Sequence, residues 1–209
     1  MSVQKAYDQW ASQYDTNENK TRDLEARSLR ETIGSLSVNT CLELGCGTGK
    51  NSAWLATQVK ELFSVDLSAE MLARAREKVK ESHVRFQQVN LLEEWDFVDK
   101  PYDLAVFSLV LEHIENLPAV FLQLARAIRP GGYVYIGELH PFKQYTGSKA
   151  RFETTEGVEI VPCFDHHVSD FTGAAEAHGF QLVTLKEYFD EETRTGLPRI
   201  LTLLFKKNQ

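Results

Sequence analysis

The chain has 209 residues, 43% of them hydrophobic and 25% charged, which suits one globular domain with a substantial core and leaves no room for a second full domain. A net charge of −7 argues against a nucleic-acid partner, since neutralising phosphates takes a clustered excess of Lys and Arg; the longest basic stretch, Arg74 to Lys80, is broken by Ala, Glu and Val like the solvated face of a helix. Three cysteines, Cys41, Cys46 and Cys163, point to reduced thiols, and with neither a secretory leader nor a membrane-length apolar run in view, a cytoplasmic protein is expected.

Near the start, Ala6 to Asp15 repeats a Tyr-Asp pair seven residues apart, which puts Tyr7, Trp10 and Tyr14 on one helical face. Thr21 to Ile33 reads as a sheet-covering helix with Thr21 as N-cap and Asp23 in the first turn. A short apolar run then ends in Glu43-Leu44-Gly45-Cys46-Gly47-Thr48-Gly49-Lys50, and a helix follows. A buried parallel strand, a glycine turn that lets backbone approach a ligand, and a helix N-terminus are the parts of a nucleotide-binding unit. The dinucleotide pattern G-x-G-x-x-G fails, because Lys50 stands where its third glycine belongs. The next apolar run, Leu62 to Val65, stops at Asp66, 21 residues after Gly45 and at the spacing expected of an acid that holds a ribose.

Further along, Ser68 caps a helix whose apolar face is Met71, Leu72, Ala75 and Val79, and a third strand, Val84 to Val89, ends at Asn90. Tyr102 to Phe107 is the fourth strand. The stretch Ser108 to His113 after it falls beyond a strand's carboxyl end, where ligands sit in doubly wound sheets. A helix through Val120, Phe121, Leu124, Ala125 and Ile128 ends at Pro130-Gly131-Gly132, and Tyr133 to Glu138 is the fifth strand. Arg151 to Thr154 and Val158 to Val161 flank Thr155-Glu156-Gly157 as a hairpin. Ser169 to His178 is the last helix, and Gln181 to Tyr188 with Ile200 to Phe205 is a final antiparallel pair.

On Glu43-x-Gly45-x-Gly47-x-Gly49 and Asp66, the chain resembles the class I S-adenosylmethionine-dependent methyltransferases of the compact single-domain, small-molecule type. The resemblance implies an α/β fold, Rossmann-like and doubly wound, with a mostly parallel seven-stranded sheet and an antiparallel last strand. It implies one domain over 1–209, with 1–19 as an N-terminal lid helix and 141–167 as a substrate-cap insertion. For the cofactor, S-adenosylmethionine, it places Glu43, Gly45, Gly47 and Gly49 beside the methionine part and Asp66 on the ribose. Tyr14 is expected at the sulfonium, Leu67 and Met71 beside the adenine, and Ser108 facing the site; for Met71 the core reading comes first, since Met often fills core gaps. Asn90, with Leu91 next to it, stands where the family usually has an acid for the adenine amino group, and its oxygen offers the same acceptor without the charge.

Methyl transfer from a sulfonium is an in-line displacement, so alignment in a dry site is the main task and a general base is optional. The candidates for that base are His140, directly after the fifth strand with Glu138 behind it, and then His166; each histidine also has a structural reading. His113, Tyr145, Arg151 and His167 are the candidate acceptor contacts, and Arg151 suits a carboxylate or phosphate. No metal is expected, because Cys163-x-x-His166-His167 matches no closed zinc pattern. The expected activity is methyl transfer to nitrogen or oxygen of a small molecule. The rivals are a methyltransferase acting on tRNA or protein, a nicotinamide oxidoreductase, which Lys50 disfavours, and a non-catalytic S-adenosylmethionine-binding regulator.

Overall fold

The computed structural model describes residues 2–16, 18–154 and 157–209. Its sheet is built from β1 (Thr40–Leu44), β2 (Glu61–Asp66), β3 (Val84–Gln88), β4 (Tyr102–Ser108), β5 (Ile128–Leu139), β8 (Phe180–Tyr188) and β9 (Ile200–Lys207), in the order β3-β2-β1-β4-β5-β9-β8. β1 to β5 run parallel, while β9 is antiparallel to both β5 and β8. This is the doubly wound, seven-stranded arrangement expected from the sequence.

The central strands read as near-continuous apolar runs because both faces are covered. Successive side chains point to opposite faces, so Cys41, Leu62, Leu104 and Val106 pack with Leu29 and Ile33 of α2 (Lys20–Ile33) and Leu55 of α3 (Lys50–Leu55). Leu42, Leu44, Ala105 and Phe107 face the other way, toward Phe121 and Leu124 of α5 (Leu117–Ala127) and Phe171 of α7 (Val168–Ala177). β1 pairs with β2 on one side and β4 on the other, so the chain winds outward in both directions from these two strands. The crevice at their carboxyl ends is the switch point where such sheets bind ligands.

Several boundaries differ from the sequence reading. α2 starts at Lys20 rather than Thr21, because the Asn19 side chain accepts the Arg22 N–H at 3.1 Å and caps the helix first. β5 begins at Ile128, paired with Tyr102, so Pro130-Gly131-Gly132 lies inside the strand rather than ending a helix. The stretch after β5 holds a short helix, α6 (Pro141–Tyr145), and the hairpin β6 (Arg151–Thr154) and β7 (Gly157–Ile160), which pair antiparallel as expected. Thr155 and Glu156 of that hairpin lie outside the described residues. The last helix starts at Val168, one residue before the expected Ser169.

At the N-terminus, α1 (Val3–Trp10) lies on α4 (Ala69–Lys78): Ala6, Trp10 and Ala11 pack with Met71 and Val161. The aromatic stripe holds together, with Tyr7 stacked on Trp10 and Trp10 edge-on to Tyr14. Among the described residues no helix is long and apolar enough to cross a membrane.

Candidate active site

Two adjoining cavities open at the carboxyl ends of β1 and β4. The inner one, about 130 Å³, is lined by the glycine turn (Gly45, Gly47), by Asp66 and Leu67, by Asn90 and Leu91, and by Ser108, His113 and the two tyrosines Tyr7 and Tyr14. The outer one, about 550 Å³, shares Tyr7, Tyr14 and Leu109 with it and extends past Glu112 to Arg151. Leu109 holds a left-handed φ of 59°, fixed by its N–H donating to the Gly137 carbonyl at 2.8 Å. Such backbone strain clusters at functional sites, and here it sits on the wall between the cavities.

The inner cavity is built by short-range chemistry. Asp66 is half-buried; its Oδ2 accepts the Gly47 N–H at 2.7 Å and its Oδ1 the Ser68 N–H at 2.9 Å, so the acid is pinned against the glycine turn while desolvation raises its pKa. Gly47 has φ 53° and nothing within 4 Å of where a Cβ would stand, so its backbone faces open space that a side chain would occupy. Glu43 lies beneath the turn. Its Oε2 accepts the Ser52 and Ser64 hydroxyls, both at 2.6 Å, and burial pushes its pKa up to about 7. Gly49, at φ 78°, is the residue before α3 and a Cβ there would meet Ala75 at 3.0 Å; it shapes the turn without lining the cavity. Asn90 Oδ1 accepts the Leu92 N–H at 3.1 Å and keeps a second lone pair for a ligand. Met71 is fully buried against α1 and does not line the cavity, so its side chain is spent on packing.

The turn after β4 is held from two sides. Glu138 Oε1 accepts the Val110 and Leu111 N–H groups at 2.9 and 2.8 Å, and desolvation together with the nearby Glu112 pushes the Glu138 pKa up to about 8. His113 Nδ1 lies 2.8 Å from the Pro162 carbonyl and Nε2 lies 2.7 Å from the Tyr7 hydroxyl. A carbonyl can only accept, so Nδ1–H donates to it and Nε2 accepts from Tyr7. Glu112, His113 and Cys163 bring three possible ligand atoms within 4.8 Å of one another, but both His113 nitrogens are already engaged and a metal would have to break those bonds.

The histidines expected from sequence stand elsewhere. His140 is buried; its Nδ1 accepts the Phe142 N–H at 3.1 Å and caps α6, and its Nε2 donates to Glu187 at 3.0 Å. His166 Nε2 donates to the Ile114 carbonyl at 2.8 Å and the Leu111 carbonyl at 3.2 Å. His167 Nδ1 accepts the Tyr145 hydroxyl. None of His140, His166, His167 and Tyr145 lines either cavity, whereas Arg151 lines the outer one. The structure adds Tyr7, Leu109 and Glu112 to the site. All three stood in stretches the sequence marked, but periodicity and spacing carry no sign of which residue in a turn faces a cavity.

Comparison with known proteins places this geometry. Residues 42–136 match the model of a methyltransferase domain. A phosphatidylethanolamine N-methyltransferase of Cereibacter sphaeroides is 30% identical over 75% of this chain and 79% of its own length. An uncharacterized methyltransferase of Emericella nidulans is 28% identical over 86% of this chain and 76% of its own. Among solved structures, the complex of DhpI with S-adenosylhomocysteine superposes with a TM-score of 0.78 at 22% identity, covering 99% of this chain and 96% of that one. Asp66 beside the open Gly47 backbone, with an apolar slot lined by Leu67, Asn90 and Leu91, suits a nucleoside and fits the cofactor of that family. The chain belongs to the S-adenosylmethionine-dependent methyltransferases of the class I, Rossmann-like fold, and S-adenosylmethionine is its cofactor.

Proposed function

We propose that the chain methylates a nitrogen or oxygen of a small molecule held in the outer cavity, against cofactor held in the inner one. The single observation that carries this is the shared wall: Tyr7, Tyr14 and Leu109 line both spaces, so a nucleophile in one stands next to the other. Bound S-adenosylmethionine supplies an electrophilic methyl carbon. The chain's part is to hold and align: Asp66 takes the ribose hydroxyls, Asn90 Oδ1 the adenine amino group, and Gly45 and Gly47 present bare backbone to the methionine end. Residues 1–19 act as a lid, because Asp8 accepts the Ser68 hydroxyl at 2.6 Å and Asp15 the Thr48 hydroxyl at 2.7 Å, drawing the aromatic stripe over the inner cavity. Residues 141–167 act as the substrate cap, contributing Arg151 to the outer cavity. Three free thiols suit a reducing, cytoplasmic setting.

The test is transfer of radiolabelled methyl from S-adenosylmethionine to separated small-molecule, RNA and protein fractions of a cell extract. Label in the small-molecule fraction is the expected result; label confined to RNA or protein contradicts the proposal.

A further inference from the structure

The outer cavity is charged against the balance of the chain. The molecule carries a net −7, yet the cavity's rim presents Lys20, Lys149 and Arg151 against the single exposed acid Glu18, and none of the three cations is in a salt bridge among the described residues. Arg22 and Arg199 line the same space but are committed, Arg22 over the Tyr14 ring at 4.0 Å and Arg199 to Asp190. Deeper in the wall stands Glu112, 6% exposed, whose carboxyl has the Cys163 thiol beside it as a weak donor and whose Oε2 makes no hydrogen bond of normal length among the described residues. A buried carboxylate oxygen without a donor is unfavourable unless a ligand brings one. Its neighbour His113 cannot serve as that cation, since its Nδ1–H is spent on Pro162 and its Nε2 accepts from Tyr7. Tyr7, Trp10 and Tyr14 line the same cavity beside Glu112.

We propose that the methyl acceptor is a dipolar small molecule whose amino nitrogen is held by Glu112 and whose carboxylate or phosphate is held by the rim of Lys20, Lys149 and Arg151. This rests on the small-molecule reading above and narrows it to a class. Glu112 takes one proton from the ammonium, which frees the nitrogen lone pair. That pair forms the bond to the methyl carbon while the carbon–sulfur pair leaves on sulfur, and Glu112 then passes its proton to water through the cavity mouth. The product is a methylated ammonium and a neutral thioether, with charge and protons balanced.

The test is calorimetric titration of the full chain saturated with S-adenosylhomocysteine, using four probes: O-phosphoethanolamine and β-alanine, which are dipolar, and ethyl phosphate and ethylamine, which carry one charged group each. At least one dipolar probe should bind tenfold or more tightly than either single-charge probe, and whichever dipolar probe is tighter identifies the anion. Glu112→Gln should abolish the advantage over ethyl phosphate while S-adenosylhomocysteine affinity stays within threefold. Arg151→Ala, at the exposed rim, should abolish most of the advantage over ethylamine. Equal binding of dipolar and single-charge probes, or no binding of any, overturns the proposal and leaves the cofactor site standing; failure to bind S-adenosylhomocysteine overturns the cofactor site as well.

Discussion

The Tyr7 hydroxyl lies 2.7 Å from His113 Nε2, which ties the first helix of the chain to the turn after β4 across 106 residues. The two rings meet edge to face with centroids 5.3 Å apart, and both line the inner cavity. The first helix and the turn after β4 are therefore one mechanical unit. Tyr7→Phe keeps the ring packing and deletes one hydrogen bond, worth about 1 kcal/mol net. Calorimetry should show S-adenosylhomocysteine binding weakened roughly fivefold with little change in melting temperature, because α1 packs mainly through Ala6 and Trp10. Unchanged affinity would mean that this contact does not bear on cofactor binding.

Glu138 gives the fold a pH dependence of definite sign. Its carboxyl titrates near 4.5 in the unfolded chain and about 8 in the folded one. Below pH 4.5 both states are protonated; between the two values only the folded chain holds the proton, so stability falls as pH rises through that window. Glu25 and Glu43, each raised by burial to about 7, act in the same direction. Glu138→Gln keeps an oxygen for the Val110 and Leu111 amides and removes one titration. Denaturant melts at pH 6 and pH 8.5 should show the wild type losing stability across this interval, and the variant losing less by on the order of 1 kcal/mol.

Gly49→Ala should destabilise the chain by about 1–3 kcal/mol, since a side chain at φ 78° is strained and its Cβ would press on Ala75. Thermal or urea unfolding measures this directly, and a change below a few tenths of a kcal/mol would contradict the turn geometry.

His140 carries stability here, because both ring nitrogens are used in the α6 cap and the Glu187 bond. His140→Ala should cost about 1–3 kcal/mol by leaving the Phe142 N–H and the Glu187 carboxylate short of a partner. S-adenosylhomocysteine affinity should stay within twofold. Normal stability with methyl transfer abolished would instead assign His140 to the chemistry.

The lining of the inner cavity was legible in the sequence because its parts are local. Gly45, Gly47 and Asp66 belong to two successive strands and the turn between them, so spacing alone relates them. Of the residues lining the outer cavity, Arg151 stood among the sequence candidates, whereas Lys20 and Glu112 did not, because they come from separated segments that only tertiary packing brings to one cavity. His140 followed a strand and so resembled a catalytic base; the fold uses it to cap α6, five residues long and too short to leave a periodic signal. Met71 could have flanked a ligand or filled a core, and the packing of α1 onto α4 decided for the core. Thr21 lost the capping role to Asn19 two residues earlier, a contest between two residue types that both cap well.

The most direct measurement of the central claim is calorimetric titration of the wild type and Asp66→Ala with S-adenosylhomocysteine. The wild type should bind one equivalent, and the variant, having lost a charge-assisted hydrogen bond worth about 1.5–3 kcal/mol, should bind roughly ten- to a hundredfold more weakly. Equal affinity for the two proteins, or no binding by the wild type, would contradict the assignment of this cleft to S-adenosylmethionine.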